Sequence, residues 1–329
     1  MKDLCLTLDG LWGFEQHFVQ IIPRADRMAA ALDLLPNVGW PNSKVRRLYA
    51  NVVQSVSLYG APVWAEKVSA SRRIKAMLHR QQRRLAIRII WAYCTTLFVA
   101  ATALAGLLPA EFLATSYAEV YRRTRDPDCA GSARLRPGAV EKIKRKARRR
   151  AITHWQAAIA DTAMGRWTTH AIQPCLPEWV DRRGRGLGFH LTQALTGHGC
   201  FGDYLCRIGK EHTTKCHHCA AGRDSAQHTL TECEAWSGVR RALTAVVGED
   251  LSLPALVRTM LEGKDNWKAV SDFCDVVMLR KEEAERVKRK EMEEVDAIPL
   301  LSLPLPSQRR TSGTSQAVMV VVASLFTTV

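Results

Sequence analysis

The chain has 329 residues, enough for one large core or two to three small ones. It carries 47 Lys+Arg against 32 Asp+Glu, a net charge of +15, and that balance favours a polyanionic partner, either nucleic acid or an acidic membrane surface. Of its ten cysteines, seven (Cys5, Cys94, Cys129, Cys175, Cys200, Cys206 and Cys274) are scattered, which argues against a disulfide framework and for a reducing compartment.

In chain order, Leu4 to Leu8 is a short apolar run stopped by Asp9-Gly10, which reads as a strand and a turn. No signal-peptide hydrophobic region opens the sequence. A helical stretch follows to about Leu35, and Pro36 and Pro41 punctuate a loop. Val45, Leu48, Tyr49, Val52, Val53 and Val56 fall on one face of a predicted helix, with Asn42 or Ser43 as its cap and Gly60 and Pro62 at its end.

The next helix is predicted from about Ser71 to Ile90. Ile74, Met77, Leu78, Leu85 and Ile89 line one side, and Arg72, Arg73, Lys75, Arg80, Arg83, Arg84 and Arg88 occupy the rest. No acid occurs between Glu66 and Glu111. An apolar face beside an uncompensated basic face suits a phosphate backbone. A solvated face and a helix binding a membrane surface or a calmodulin-like partner are the competing readings. Trp91 to Leu108 lies within the longest uncharged run. Threonines, Gly106 and the following Pro109 favour a buried helical hairpin over a membrane span.

Residues 125–150 read as a linker that ends in a basic run containing Lys144, Arg145, Lys146, Arg148, Arg149 and Arg150. The run is a nuclear-import signal, a nucleic-acid patch, or the exposed face of a helix whose other side carries Val140, Ile143, Ala147, Ala151 and Trp155. Trp155, Trp167 and Trp179 are expected as buried aromatics, with base stacking as the alternative. Residues 195–202 read as a tight turn leading into a helix anchored by Tyr204 and Leu205.

The most specific pattern follows. Cys216, Cys219, His228 and Cys233 read C-x2-C-x8-H-x4-C. Two thiols two residues apart grip one metal from a single turn, and the later pair lies about one helical turn apart. Three thiolates and an imidazole make a closed tetrahedral set, which suits structural zinc and leaves no position for a substrate. His212, His217 and His218 break the paired spacing, and His190 and His198 are expected to be structural. Trp236 and Leu243 suggest that the metal-bearing helix continues. A further helix is predicted from Lys264, with Trp267, Val270, Phe273, Cys274, Val277 and Met278 on its buried face. From Arg280 onward it is almost entirely charged and reads as a solvated extension. Residues 297–329 read as a disordered or weakly docked tail.

Several of these stretches together resemble the C-terminal part of arthropod non-LTR (LINE-like) retrotransposon polyproteins, in particular the clade inserting into ribosomal RNA genes. They are residues 4–10, 58–65, 82–88, 104–109, 165–168 and 189–236. The resemblance implies a mostly α architecture. Residues 1–40 would be the end of a polymerase palm, a short β remnant with its connector, and 41–124 a helical thumb-like domain. A basic linker would span 125–150, a small CCHC zinc-knuckle-like helical domain 151–240, and C-terminal helices 241–296. Cys5 stands where the family usually has glycine, and Asp3 where it usually has an aromatic residue.

The implied function is that of an RNA-directed DNA polymerase and endonuclease, with element RNA and target DNA as partners and a nuclear location. Polymerase chemistry needs paired carboxylates holding two Mg ions. No Asp-Asp pair occurs in these residues, so binding rather than catalysis is expected of this chain. No G-x-S-x-G elbow or G-x-x-x-x-G-K-[ST] loop suggests another enzyme. A zinc-stabilised protein-interaction module is the alternative from a different class.

Overall fold

The computed structural model describes residues 2–3, 6–8, 10, 12–33, 43–125, 136–162, 164–182 and 184–297. The expected strand residues Leu4 and Cys5, the loop prolines Pro36 and Pro41, the cap Asn42, residues 126–135 of the expected linker and the tail beyond 297 lie outside them. Among the described residues the protein is mostly helical. The strands there are Lys2–Asp3 and Leu6–Thr7, an antiparallel pair in the register Lys2↔Thr7 and Asp3↔Leu6. Among the described residues, Leu6 and Thr7 of the expected apolar run are strand and Leu8 is not.

Residues 1–285 form one unit, built on two main apolar clusters. The first joins the N-terminal helix Glu15–Asp33 to the helices Ala61–Ala70 and Ala110–Arg125, around Phe14, Phe18, Trp64, Val68, Ile74 and Leu78. Phe18 and Trp64 meet edge to face at 5.1 Å, a geometry that suits the ring quadrupoles. Gly60 turns the chain between helices at φ 72°, and a Cβ there would meet the Leu6 side chain at 2.8 Å. Pro62 then sits in the first turn of the Ala61–Ala70 helix, where its missing N–H costs nothing. It opens a helix as well as closing one.

The second cluster is larger. It takes residues from 25 through 277, including Leu104, Trp155, Ile172, Leu176, Trp179, Leu256, Met260 and Phe273. Segments expected as thumb-like, zinc-bearing and C-terminal thus contribute to one core. The helix Arg72–Ile90 links the clusters, with Ile74 and Leu78 in the first and Leu85, Ala86, Ile89 and Ile90 in the second. Ser71 caps it by accepting from the Ile74 backbone N–H at 3.3 Å.

The uncharged run Trp91 to Leu108 is not a hairpin. It is a loop, one short buried helix Phe98–Ala105, and a break at Gly106–Pro109 before Ala110–Arg125. Buried Gln82 supports that break: its amide donates to Leu108 O at 3.1 Å and its carbonyl accepts from Ala110 N at 2.8 Å. No single helix among the described residues is long and apolar enough to cross a membrane, although the pair Phe98–Ala105 and Ala110–Arg125, bent by 53°, passes on length and composition. Ala100 to Ala105 are all buried within the protein core.

Three other readings need correction. In the helix Ser43–Ser57 the buried stripe is Ala50, Val53 and Ser57, while Val45 is 48%, Leu48 65% and Val52 44% exposed. Of the face that periodicity proposed, Tyr49, Val53 and Val56 pack on the core and the other three residues face outward. Second, a continuous helix runs Pro137–Ala160, so residues 137–150 of the expected basic linker are its first half. Ala147, Ala151 and Trp155 are buried on the face the periodicity proposed. Third, the helix Lys264–Ala297 begins where expected and buries Trp267, Val270, Phe273, Cys274, Val277 and Met278, but its charged part is not wholly solvated, because Lys281 is only 2% exposed. Among the described residues, helices that the sequence reading did not single out include Ala61–Ala70, Ala110–Arg125, Arg166–Ile172, Leu176–Asp181, Phe189–Thr196 and Leu253–Glu262. The last had a usable signal, Pro254 in its first turn followed by Leu256, Val257 and Met260 at helical spacing. In the second unit, Arg286–Val329, residues 286–297 are helical.

Candidate metal centre and basic surface

Cys216, Cys219, His228 and Cys233 converge, with one donor atom from each lying within 4.8 Å of all the others. Cys216 Sγ and Cys233 Sγ are 3.9 Å apart, and Cys219 Sγ and His228 Nε2 are 3.2 Å apart. Tetrahedral zinc with its usual bond lengths sets donor atoms about 3.5–3.8 Å apart, so the four residues fit that ion.

Local folding explains the convergence. Cys216 and Cys219 flank a turn in which Ala220 N–H donates to Cys216 O at 3.0 Å and Cys216 N–H donates to Ala221 O at 2.8 Å. Ala220 adopts φ 59°, which lets the chain reverse immediately after the second thiol. His228 sits in the short helix Ala226–Thr231, capped by Ser225, whose hydroxyl accepts from His228 N at 3.0 Å. That helix stops at Thr231. Cys233 N–H donates to His228 O at 2.9 Å across the break, and a 3-10 turn, Glu234–Trp236, precedes a separate helix, Ser237–Val247. The expected continuous metal-bearing helix is therefore interrupted at the third cysteine. The break aims Cys233 back at Cys216, which an unbroken helix would not do.

The surroundings suit thiolates. Backbone N–H groups of His218 and Cys219 donate to Cys216 Sγ, that of Ala221 to Cys219 Sγ and that of Ala235 to Cys233 Sγ. Burial pushes the Cys216 thiol up and Cys233 up to about 12. At Cys219 burial also pushes upward, but the Ala221 N–H and the neighbouring donors outweigh it and bring the thiol down to about 7. A cation at the centre is what would hold all three deprotonated. His228 Nδ1 faces Glu232 Oε2 at 3.2 Å. A proton held there leaves Nε2 as the donor atom, the carboxylate–histidine arrangement common behind zinc. The other histidines stand apart, as expected from spacing. His217 lies 3.6 Å from Glu211, His218 packs on Trp236 with centroids 4.8 Å apart, His190 faces Asp275 at 2.8 Å, and His198 stacks on Tyr204 at 4.8 Å.

A buried polar brace underlies the centre. Lys281 Nζ lies 2.7 Å from each carboxylate oxygen of Asp224, and both side chains are almost fully buried. Asp224 also accepts from Gly202 N at 3.0 Å and Thr229 Oγ1 at 3.3 Å, and its own N–H donates to Thr214 O at 2.7 Å. Thr214 precedes the first thiol pair and Thr229 follows His228, so the brace ties the metal loop to Lys281 on the Lys264–Ala297 helix. Sequence reading missed this brace because Lys281 sits within a charged run.

The predicted basic residues fall into two groups. Arg72 and Arg80 are exposed, Lys75 and Arg88 partly so. Three others are engaged: Arg73 pairs with Glu15 at 2.9 Å, Arg84 pairs with Asp26, and Arg83 donates to Thr96 O at 2.7 Å and to Cys94 O. The helix has no acid of its own, yet its neighbour in the fold supplies two, so the basic face is partly compensated. On the Pro137–Ala160 helix, Lys144, Arg145, Lys146 and Arg149 are exposed. Arg148 pairs with Asp181 at 3.3 Å and Arg150 with Glu119. Trp155 and Trp179 are buried, and Trp167 donates to Ala194 O at 3.0 Å, all in packing roles.

Over 250 residues the chain is 25% identical to the "Retrovirus-related Pol polyprotein from type-1 retrotransposable element R1 4" of Nasonia vitripennis, a match covering 75% of this chain. This supports a relation to non-LTR retrotransposons. The match spans 63% of that Pol polyprotein's length. No family model and no solved structure matches the chain.

Proposed function

We propose that the chain is the nucleic-acid-holding C-terminal part of a reverse transcriptase from a non-LTR retrotransposon, of the kind that inserts into ribosomal RNA genes. The similarity to a retrotransposon Pol polyprotein carries this reading. The helices of residues 41–124 act as a thumb along a template-primer duplex in the nucleus. Arg72, Lys75 and Arg80 of the Arg72–Ile90 helix, with Lys144, Arg145, Lys146 and Arg149, contact phosphates of element RNA or target DNA. Arg83, Arg84 and Arg150 instead hold their helices in place. Cys216, Cys219, His228 and Cys233 hold a structural zinc. That ion fixes the loop and presents Lys210 and Lys215, both exposed, to the strand. Arg207 and Arg223 are less available, since Arg207 lies over the Tyr204 ring at 5.3 Å and Arg223 pairs with Asp203 at 2.7 Å. Polymerase and nuclease chemistry, with its Mg ions, belongs to the whole polyprotein.

The test is binding of short labelled RNA and DNA at several salt concentrations. Each phosphate contact contributes about −0.9 to the slope of log affinity against log salt on duplex DNA. Reversing Arg72 and Arg80 together should weaken binding and flatten the slope by roughly two such contacts. Unchanged binding would remove the helix from the interface.

A second reading, a zinc-stabilised protein-interaction module, is favoured by the exposed Val45, Leu48 and Val52 on one helix. It expects weak contact with nucleic acid that salt barely affects.

A further inference from the structure

A cavity of about 250 Å³ opens between the start of the Ser43–Ser57 helix, the end of the Arg72–Ile90 helix and the loop at 182–187. Its charged lining is entirely cationic: Lys44, Arg47, Arg182 and Arg185, with no carboxylate among the lining residues. None of the four belongs to the basic runs described above, and they come together only in the fold.

The arginines are held in position by main-chain oxygens near helix C-termini. Arg182 donates to Leu104 O at 2.7 Å and to Trp179 O. Arg185 donates to Met260 O at 3.1 Å and Leu261 O at 2.7 Å, and Arg47 donates to Ala105 O. Arg182 also lies over the Trp179 ring, 4.1 Å from its centroid. These contacts orient the guanidinium groups but supply only partial negative charge. Arg182 Nε is buried and has no hydrogen-bond partner among the described residues. Burial and neighbouring Arg47 push the Arg182 guanidinium down to about 9, and burial followed by nearby Arg148 lowers Arg47. No carboxylate of the lining offsets Arg47, Arg182 and Arg185.

The rim suits close approach. Gly184 and Gly186 line it, and around Gly184, at φ 72°, no atom lies within 4 Å of where a Cβ would stand. A tetrahedral oxyanion can therefore reach the backbone as well as the guanidinium forks.

We infer that the pocket formed by Lys44, Arg47, Arg182 and Arg185 is a phosphate-binding site, which takes a backbone phosphate of the bound nucleic acid. The inference rests on the nucleic-acid reading above for the source of the phosphate. A polyphosphate or free phosphate has the same chemistry and is separated by the test. Arg182 and Arg185 also line a second cavity of about 480 Å³, where Arg258 stands with Glu178 and Glu262, so the lining free of carboxylates belongs to the first pocket.

The test uses the full chain and two probes, a labelled oligonucleotide and inorganic phosphate. Lys44 is exposed in the first turn of its helix, and Arg185 lies in the loop. Lys44→Glu and Arg185→Gln are each compared with Lys67→Glu, an exposed site on the Ala61–Ala70 helix. The pocket variants should lose roughly five- to tenfold in oligonucleotide affinity and about one unit of salt slope, the loss of one phosphate contact, while Lys67→Glu stays near the parent. The parent should also melt higher in millimolar phosphate than in equal ionic strength of chloride, and the pocket variants should not. Equal loss in all three variants, or none, overturns the pocket and leaves the nucleic-acid reading standing. Phosphate stabilisation that depends on the pocket, without oligonucleotide binding by the parent, keeps the site, assigns it to free phosphate and overturns the nucleic-acid reading. Neither response in the parent overturns both.

Discussion

Lys281 Nζ sits 2.7 Å from both carboxylate oxygens of Asp224, 57 residues earlier in the chain, with neither side chain reached by water to any extent. Taking a buried pair out of water is costly, but removing one partner alone is worse, since it strands the other charge. Lys281→Met should therefore destabilise the protein by about 3–5 kcal/mol, read as a lower denaturant midpoint. Combining it with Asp224→Asn should recover a good part of the loss. A single variant as stable as the parent would show that the pair contributes little.

Chelation tests the metal centre. The purified protein should contain one zinc per chain, and a strong chelator should release it and lower the melting temperature. Cys219→Ser should bind no zinc tightly and should resemble the chelated parent. A parent indifferent to chelation would remove the ion from the account of the fold.

Glu232 offers a gentler probe, since it faces His228 Nδ1 from a side chain that is 67% exposed. Glu232→Gln should leave the fold intact and weaken zinc affinity by about 10–100-fold, the usual effect of losing an outer-shell partner. Competition with a chromophoric chelator measures it.

Acid should act through His198. Burial, reinforced by Arg207, lowers its pKa from the model-compound value of 6.5 to about 4. The unfolded chain thus takes up this proton more readily than the folded one, and stability is lost as pH falls from 6.5 towards 4. His198→Gln can still hydrogen-bond to Thr95, which meets His198 at 3.0 Å. It should flatten that part of the melting-temperature profile. An unchanged profile would assign the acid sensitivity to other groups.

Gly202→Ala tests how tightly the metal loop is packed. A Cβ there would meet Thr214 O at 2.7 Å and Lys215 O at 2.9 Å, and these backbone atoms immediately precede Cys216. The variant should lower both stability and zinc affinity, whereas alanine at Gly222, which has open space, should change neither.

Much of this was legible in the sequence, for identifiable reasons. The four metal-binding candidates declared themselves because short-range ligand spacing survives folding almost unchanged. The buried faces of the helices from Arg72 and Lys264 followed from 3.6-residue periodicity, which reports a face whenever one side packs. The same rule only partly placed the inward side of Ser43–Ser57, where small residues, Ala50 and Ser57, pack inward and larger Val45 and Leu48 stay outside. Charge was the least legible property. Arg84 reads as uncompensated until Asp26 arrives from another helix, and Lys281 reads as solvated until Asp224 does. Such pairings depend on tertiary neighbours, which no local pattern encodes. The cationic pocket escaped for the same reason, since Lys44 and Arg185 are far apart in the chain.

The order of synthesis gives the Asp224–Lys281 brace a further meaning. All four metal ligands have been made by residue 233, but the lysine that neutralises the carboxylate beneath them appears only at 281. At usual translation rates that interval lasts roughly several seconds. During it the nascent segment carries a complete ligand set over an acid with no cation. A product ending between 233 and 281 would remain in that state, able to take up zinc yet unable to bury Asp224 without cost. The closing helix thereby makes maturation of the metal loop wait until residue 281 has been made.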